Sequence, residues 1–173
     1  MIYTCSHKNY QSTIYKTYAI SGNRGKNVNY QGEYFQYLAP KLSFWKIWHQ
    51  NQEITPQYEN DYYYIKSYYY QVLKKLNPQE ILNQLDNSIL LCYEESFEFC
   101  HRHIVAAWLE LTLDILVPEV IVKDYIITIV NRPTYIKKSL SQIIFEDIQY
   151  QSINIKNKDI SNICCKKRNK HLK

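Results

Sequence analysis

The sequence predicts an α/β fold, a three-layer Rossmann-like domain with a mostly parallel sheet and helices on both faces. Three observations predict it. Runs of β-branched and aromatic residues alternate with longer stretches of helical periodicity. Ser88 to Tyr93, "SILLCY", is a continuous apolar run of strand length, the pattern of a strand covered on both faces. The order strand, helix, strand, helix, strand leads through right-handed crossovers to parallel pairing.

Met1 to Ser6 and Thr13 to Ser21 read as the first strands, the second ending in the turn-forming "SGNRGKN". Asn29 to Asn51 mixes aromatics with Gly32 and Pro40. It predicts short helical turns around a lidlike connection, with Leu38, Phe44, Trp45 and Trp48 packed inward. Thr55-Pro56 supplies an N-cap and first helical position for the longest helix, which runs to Leu76. Asn77-Pro78 repeats the device for a short helix, Gln79 to Leu85. After the loop Glu94 to Phe99, "CHRHIVAAWLELTL" places Ile104, Val105, Ala107, Trp108, Leu111 and Leu113 on a helix face, and "VPEVIVKD" reads as a further buried strand. The α/β domain covers residues 1–130. Residues 131–163 form a C-terminal extension with a helix over 137–148, and residues 164–173 a basic disordered tail.

A chain of 173 residues can bury a core without disulfides or a structural metal. Its 18 tyrosines against 3 glycines resemble a codon-usage bias and carry no functional weight by themselves. The net charge of +5 lies in Lys166, Lys167, Arg168, Lys170 and Lys173, because the first 163 residues balance basic against acidic groups. The body is therefore no basic platform for nucleic acid, while the tail suits electrostatic attraction to it. Five cysteines at irregular positions, with no secretory leader in view, predict reduced thiols in the cytoplasm. No apolar run reaches the roughly 18 residues of a spanning helix, so no transmembrane segment is expected. Cys164-Cys165 beside Lys166 and Lys167 is a weak acylation signal with no second lipid signal to support it.

The chemistry concentrates between Cys92 and His103. In an open α/β sheet, ligands bind at the carboxyl ends of the strands, and this segment lies at such an end. A helix that begins near Cys100 offers free N–H groups, and Arg102 a bidentate donor, so the start of the helix suits phosphate or carboxylate. Glu94 can move a proton or bind a hydroxyl, and Cys100 beside Arg102 at a helix start gains thiolate character. Nine residues separate Cys92 from Arg102, against five in a cysteine-phosphatase loop. Cys92, Cys100, His101 and His103 are close in sequence, and Cys5 and His7 sit at another strand end, but the paired short spacings of zinc sites are missing, and Cys100, His101 and His103 diverge around one helix. Neither a metal nor any other cofactor is expected. Cys92 reads as a small core residue. Glu94, His101 and Arg102 have a structural alternative, a salt-bridged cap that fixes the loop.

"LLCYEESFEFCHRHIVAAWLE" resembles the signature of the family called domain of unknown function 488, in which a strand ending in Cys and an acid is followed by Cys-His-Arg opening a helix. "IYTCSH", "YAISGNRG" and "YQGEYFQYLAPKLSFW" resemble that family's upstream segments in the expected order. The resemblance covers about residues 1–123 and implies a small Rossmann-like fold. It implies family motif positions at Arg24, Lys41, Cys92, Glu94, Cys100, His101 and Arg102, and no activity.

Together these readings predict an enzyme for a nucleotide or other phosphorylated small molecule. Glu94, His101 and Cys100 would be catalytic, Arg102, Arg24 and Lys41 would hold the anion, and Ser6 and Tyr3 would line the wall. The alternative is a noncatalytic module that binds a nucleotide, a nucleic acid or a protein.

Overall fold

The structure, a computed structural model, describes the backbone of residues 1–168 and the side chains of residues 1–154. Its first compact unit, Met1–Leu140, contains a six-stranded, mostly parallel sheet with helices around it, a three-layer α/β fold. The strands are β1 (Ile2–Tyr10), β2 (Lys16–Ala19), β3 (Glu33–Tyr34), β4 (Ser88–Cys92), β5 (Glu119–Lys123) and β6 (Ile126–Val130). Their order is β3-β2-β4-β1-β5-β6. All neighbours run parallel except β5 and β6.

β4 is buried along its whole length, as its apolar run requires. Side chains alternate across a strand. Ile89 and Leu91 therefore join Cys5, Val120 and Val122 on one face, where Tyr3, Tyr10, Tyr15, Tyr30 and Ile127 pack against them. The abundant tyrosines thus have a packing role. Leu90 and Cys92 look to the other face.

The helices are α1 (Leu42–Gln50), α2 (Gln57–Gln71), α3 (Pro78–Leu85), α4 (His101–Leu113) and α5 (Thr134–Arg168). Asn77 caps α3 as its sequence predicts, accepting from the Gln79 and Glu80 amides with Pro78 in the first turn. α2 begins one residue later than expected, with Pro56 itself at the N-cap, and ends at Gln71 before a single 3-10 turn, Leu73–Lys75. α5 is the longer helix. It outruns the helix expected over 137–148 and takes in 164–168 of the expected disordered tail; residues 169–173 lie outside the described residues, as do the side chains of Cys164 and Cys165. The second compact unit, Ser141–Lys173, is helical where described.

β6 was not foreseen. It forms a hairpin with β5 through Asp124 and Tyr125, both at positive φ (50° and 66°), the geometry of a two-residue type I′ turn. Between Asn29 and Asn51, Leu38 and Phe44 are buried as expected. Trp45 is 38% exposed and Trp48 only partly buried. No helix among the described residues is long and apolar enough to cross a membrane.

Candidate active site

Cys100 is the N-cap of α4, in extended conformation (φ −152°, ψ 145°), and its side chain makes no capping hydrogen bond. The thiol turns instead toward the loop after β4. Glu98 folds that loop back, its carboxylate accepting from the Glu95 amide (2.8 Å) and its amide donating to the Glu95 carbonyl (3.1 Å). The turn returns Glu94 to the end of β4. Both thiols reach Glu94 Oε2, Cys100 Sγ at 2.8 Å and Cys92 Sγ at 3.2 Å.

His101 completes the group. Its Nε2 lies 3.0 Å from the Ile20 carbonyl, just past the end of β2. A carbonyl oxygen only accepts, so Nε2 carries the proton and donates, and in the neutral ring Nδ1 keeps its lone pair. Nδ1 stands 3.6 Å from Cys92 Sγ and 3.9 Å from Cys100 Sγ. The donor atoms of Cys92, Cys100 and His101 all lie within 4.8 Å of one another, and all three residues are buried. Spacing could not reveal this, because Cys92 comes from a strand end and not from the helix that carries the other two.

Burial is the largest single influence on each of these groups, and for Cys100 and His101 their neighbours together overcome it. It pushes Glu94 up to about 7, helped by the negative charge and hydrogen bond of Cys100. Burial likewise raises Cys92 well above the usual thiol range, and its bond to Cys100 adds to the rise. Burial also opposes ionisation of Cys100, but the Cys92 hydrogen bond, the Arg102 charge and His101 outweigh it and hold that thiol well below its usual range. For His101, burial lowers and Cys100 raises, and the net is a more basic ring. Of the two thiols, Cys100 is the more readily ionised.

These side chains form the wall of a cavity of about 520 Å³. Most of the remaining lining is aromatic or amide, Trp45, Trp48, Tyr64, Tyr93 and Phe99 with Asn23 and Asn27, and Ser21, Gly22, Pro40 and Leu42 complete it. The aromatic wall is internally braced. Trp48 packs on Tyr64 and Phe99 at 5.4 Å each, and Tyr64 meets Phe99 edge to face at 5.3 Å. Asp61 of α2 fixes Trp48 by accepting from its indole N–H at 3.0 Å and also accepts from Gln57 and Tyr135. On the opposite side Tyr93 OH donates to Asn23 Oδ1, and Ser21 Oγ accepts from the Gly25 amide at 3.1 Å.

Arg102 stands behind the cavity and does not line it. Its guanidinium is fully buried, with Nε 3.2 Å and Nη2 3.0 Å from Glu119 Oε1, and Nη2 also donating to the Glu95 carbonyl at 3.0 Å. Thr4 donates to the other Glu119 oxygen at 2.6 Å, and His103 Nε2 lies 3.3 Å from it. Only Nη1 of the guanidinium lacks a partner. The salt-bridged cap considered from the sequence, of Glu94, His101 and Arg102, is not the one that forms: Arg102 pairs with Glu119, while Glu94 and His101 meet the two thiols. Ser6 donates to the Tyr93 carbonyl at 3.0 Å, Tyr3 packs on Tyr15, and neither lines the cavity. Arg24 lies over the Tyr34 ring at 5.0 Å, and Lys41 is the exposed N-cap of α1. Each is one residue from a lining residue.

The residues that sequence reasoning missed are the amides and aromatics of the wall; Cys92, read as a small core residue and as a family motif position, is buried and also lines the cavity. Trp45 and Trp48, three apart on α1, were the available signal, since such residues share a helix face. An acid inside the apolar "VPEVIV" was the signal for Glu119.

An α/β domain with a thiol–carboxylate–imidazole group at its strand ends is a class that family comparison narrows. Residues 2–113 match the family model DUF488-N3a, described as the active DUF488-N3 subclade. The match covers more than half of the chain, which belongs to the DUF488 family. No curated protein and no solved structure matches the chain.

Proposed function

We propose that this protein is an enzyme acting on a nucleotide or other phosphorylated small molecule, and that the cavity between the β2 and β4 ends is its active site. One observation carries the reading: two thiols, a carboxylate and an imidazole lone pair converge on the wall of a cavity lined by aromatic rings and amides. Rings and amides suit a planar, hydrogen-bonding base, which stacks on aromatic faces and is read along its edge. Among the described residues no lysine or arginine lines the cavity, so a phosphate is met at the rim, where Arg24 and Lys41 follow or precede lining residues. Arg102 keeps its charge behind Cys100 through the Glu119 pair.

In this reading Glu94 exchanges protons with the substrate, and Cys100 and His101 present electron pairs to the reacting centre. The word "active" in the family's description is consistent with such a site. Titration of the tryptophan fluorescence with a panel of nucleoside monophosphates tests it. Saturable quenching is expected, and Trp48→Ala weakens binding by about fivefold or more, since stacking on one ring contributes about 1–3 kcal/mol. Glu94→Gln retains binding and loses turnover. A panel in which no nucleotide binds, or turnover indifferent to Glu94→Gln in a folded variant, overturns the assignment.

A further inference from the structure

We propose that Cys92, Cys100 and His101 form a binding site for one zinc-class divalent cation, whose fourth position opens on the cavity beside Glu94. The inference rests on the reading of this cavity as the active site and names the cofactor it would use.

The geometry argues for it first. In a tetrahedral zinc site with usual bond lengths, a sulfur and a nitrogen ligand stand about 3.6 Å apart. Here Nδ1 of His101 stands 3.6 Å from one sulfur and 3.9 Å from the other. Both sulfur–nitrogen separations are therefore near that of a tetrahedral site, and all three donor atoms lie within 4.8 Å of one another. Soft thiolates with an imidazole are the donor set that selects zinc over calcium or magnesium.

The surroundings argue for it second. Metal-bound imidazoles usually donate their remaining N–H to a carbonyl or carboxylate, which fixes the tautomer and the ring orientation. His101 has this arrangement, with Nε2 on the Ile20 carbonyl and Nδ1 toward the sulfurs. The ligands also come from separate elements, Cys92 from the end of β4 and Cys100 and His101 from the start of α4. The objection from helical spacing does not apply to such a set.

Three protein ligands leave an open position, as in catalytic zinc sites, where closed structural sites use four. All three ligands and Glu94 line the cavity, so the open position faces it. A water bound there would lose its proton to the Glu94 carboxylate. The O–H bond breaks, the hydroxide stays on the metal, and no redox change is involved. The class of reaction this serves is hydrolytic.

The test is metal content and spectroscopy of the full chain, purified reduced and without chelator. One zinc-class ion per chain is expected. After chelation, Co2+ should restore one equivalent, with a thiolate-to-cobalt charge-transfer band and the strong visible bands of tetrahedral cobalt. Cys92→Ser and His101→Ala should abolish or shift those bands, whereas Cys5→Ser and the Cys164→Ser/Cys165→Ser double variant should leave them unchanged. A reduced wild-type chain that takes up no Co2+, or whose cobalt bands ignore both Cys92→Ser and His101→Ala, overturns the proposal. If nucleotides still bind that metal-free chain with unchanged affinity, the metal alone is lost and the substrate reading stands. Metal uptake without any nucleotide binding supports the site and removes the substrate assignment.

Discussion

At the scale of the residue, the pair Arg102–Glu119 shows how a motif can be conspicuous for structural reasons. Both side chains are fully buried, and the carboxylate gathers Arg102, Thr4 and His103 at once. Removing one member leaves a buried charge uncompensated, which costs about 3–5 kcal/mol. Glu119→Ala is therefore expected to lower the thermal midpoint markedly, and a variant of unchanged stability would contradict the pairing. Burial opposes ionisation of Glu119, but the His103 bond and the Arg102 charge hold its carboxyl below its ordinary value of 4.5. The unfolded state thus binds the proton first. The pair's stabilisation is complete above pH 4.5 and is lost as pH falls through the lower folded value, so acid unfolding of the wild type should flatten in Glu119→Gln.

The sequence exposed half of this. Cys-His-Arg at a helix start drew notice to Arg102, but its partner sits on β5, seventeen residues on. An anion role followed naturally from seeing the guanidinium without the acid. Glu94, Cys100 and His101 were legible because they are close in sequence and their chemistry is unusual for a loop. Cys92 was legible as a core thiol and a family motif position, but nothing local in "SILLC" shows that it meets His101.

At the scale of the element, the loop from Ser21 to Tyr30 determines one side of the cavity. Gly25 adopts φ 76°, and a Cβ built there would lie 2.6 Å from Tyr30 Cβ. Its amide donates to Ser21, a lining residue, so the turn is held at both ends. Gly25→Ala is expected to destabilise by more than about 1 kcal/mol, because positive φ strains an alanine, and to weaken any ligand that uses Asn23 or Asn27. Denaturant titration measures the first effect and a binding titration the second. A fully stable Gly25→Ala protein would mean the turn is not as described. Strands buried on both faces were readable here from composition, whereas β6 was not. Its turn, Asp124-Tyr125, lacks the Asn-Gly or Asp-Gly signal, and tyrosine at positive φ is no sequence cue.

At the scale of the whole molecule, the sheet order explains why the site lies where it does. β4 slots between β1 and β2, so the ends of β2 and β4 are neighbours and α4 starts beside them. Ile20 at one strand end then orients His101, and Cys92 at the other meets it from below. Parallel order and helix starts were predictable from the succession of elements. Which strand neighbours which was not, because sheet order is set by long-range pairing that local patterns do not encode.

The central claim is that the cavity between the β2 and β4 ends is where this protein binds and transforms its substrate. The most direct measurement is a crystal structure of the protein soaked with a panel of nucleotides. The account predicts a base stacked on Trp45, Trp48 or Phe99 with a reacting atom next to Glu94 and Cys100. Density for a nucleotide at another site, with this cavity left without ligand at saturating concentration, would contradict it.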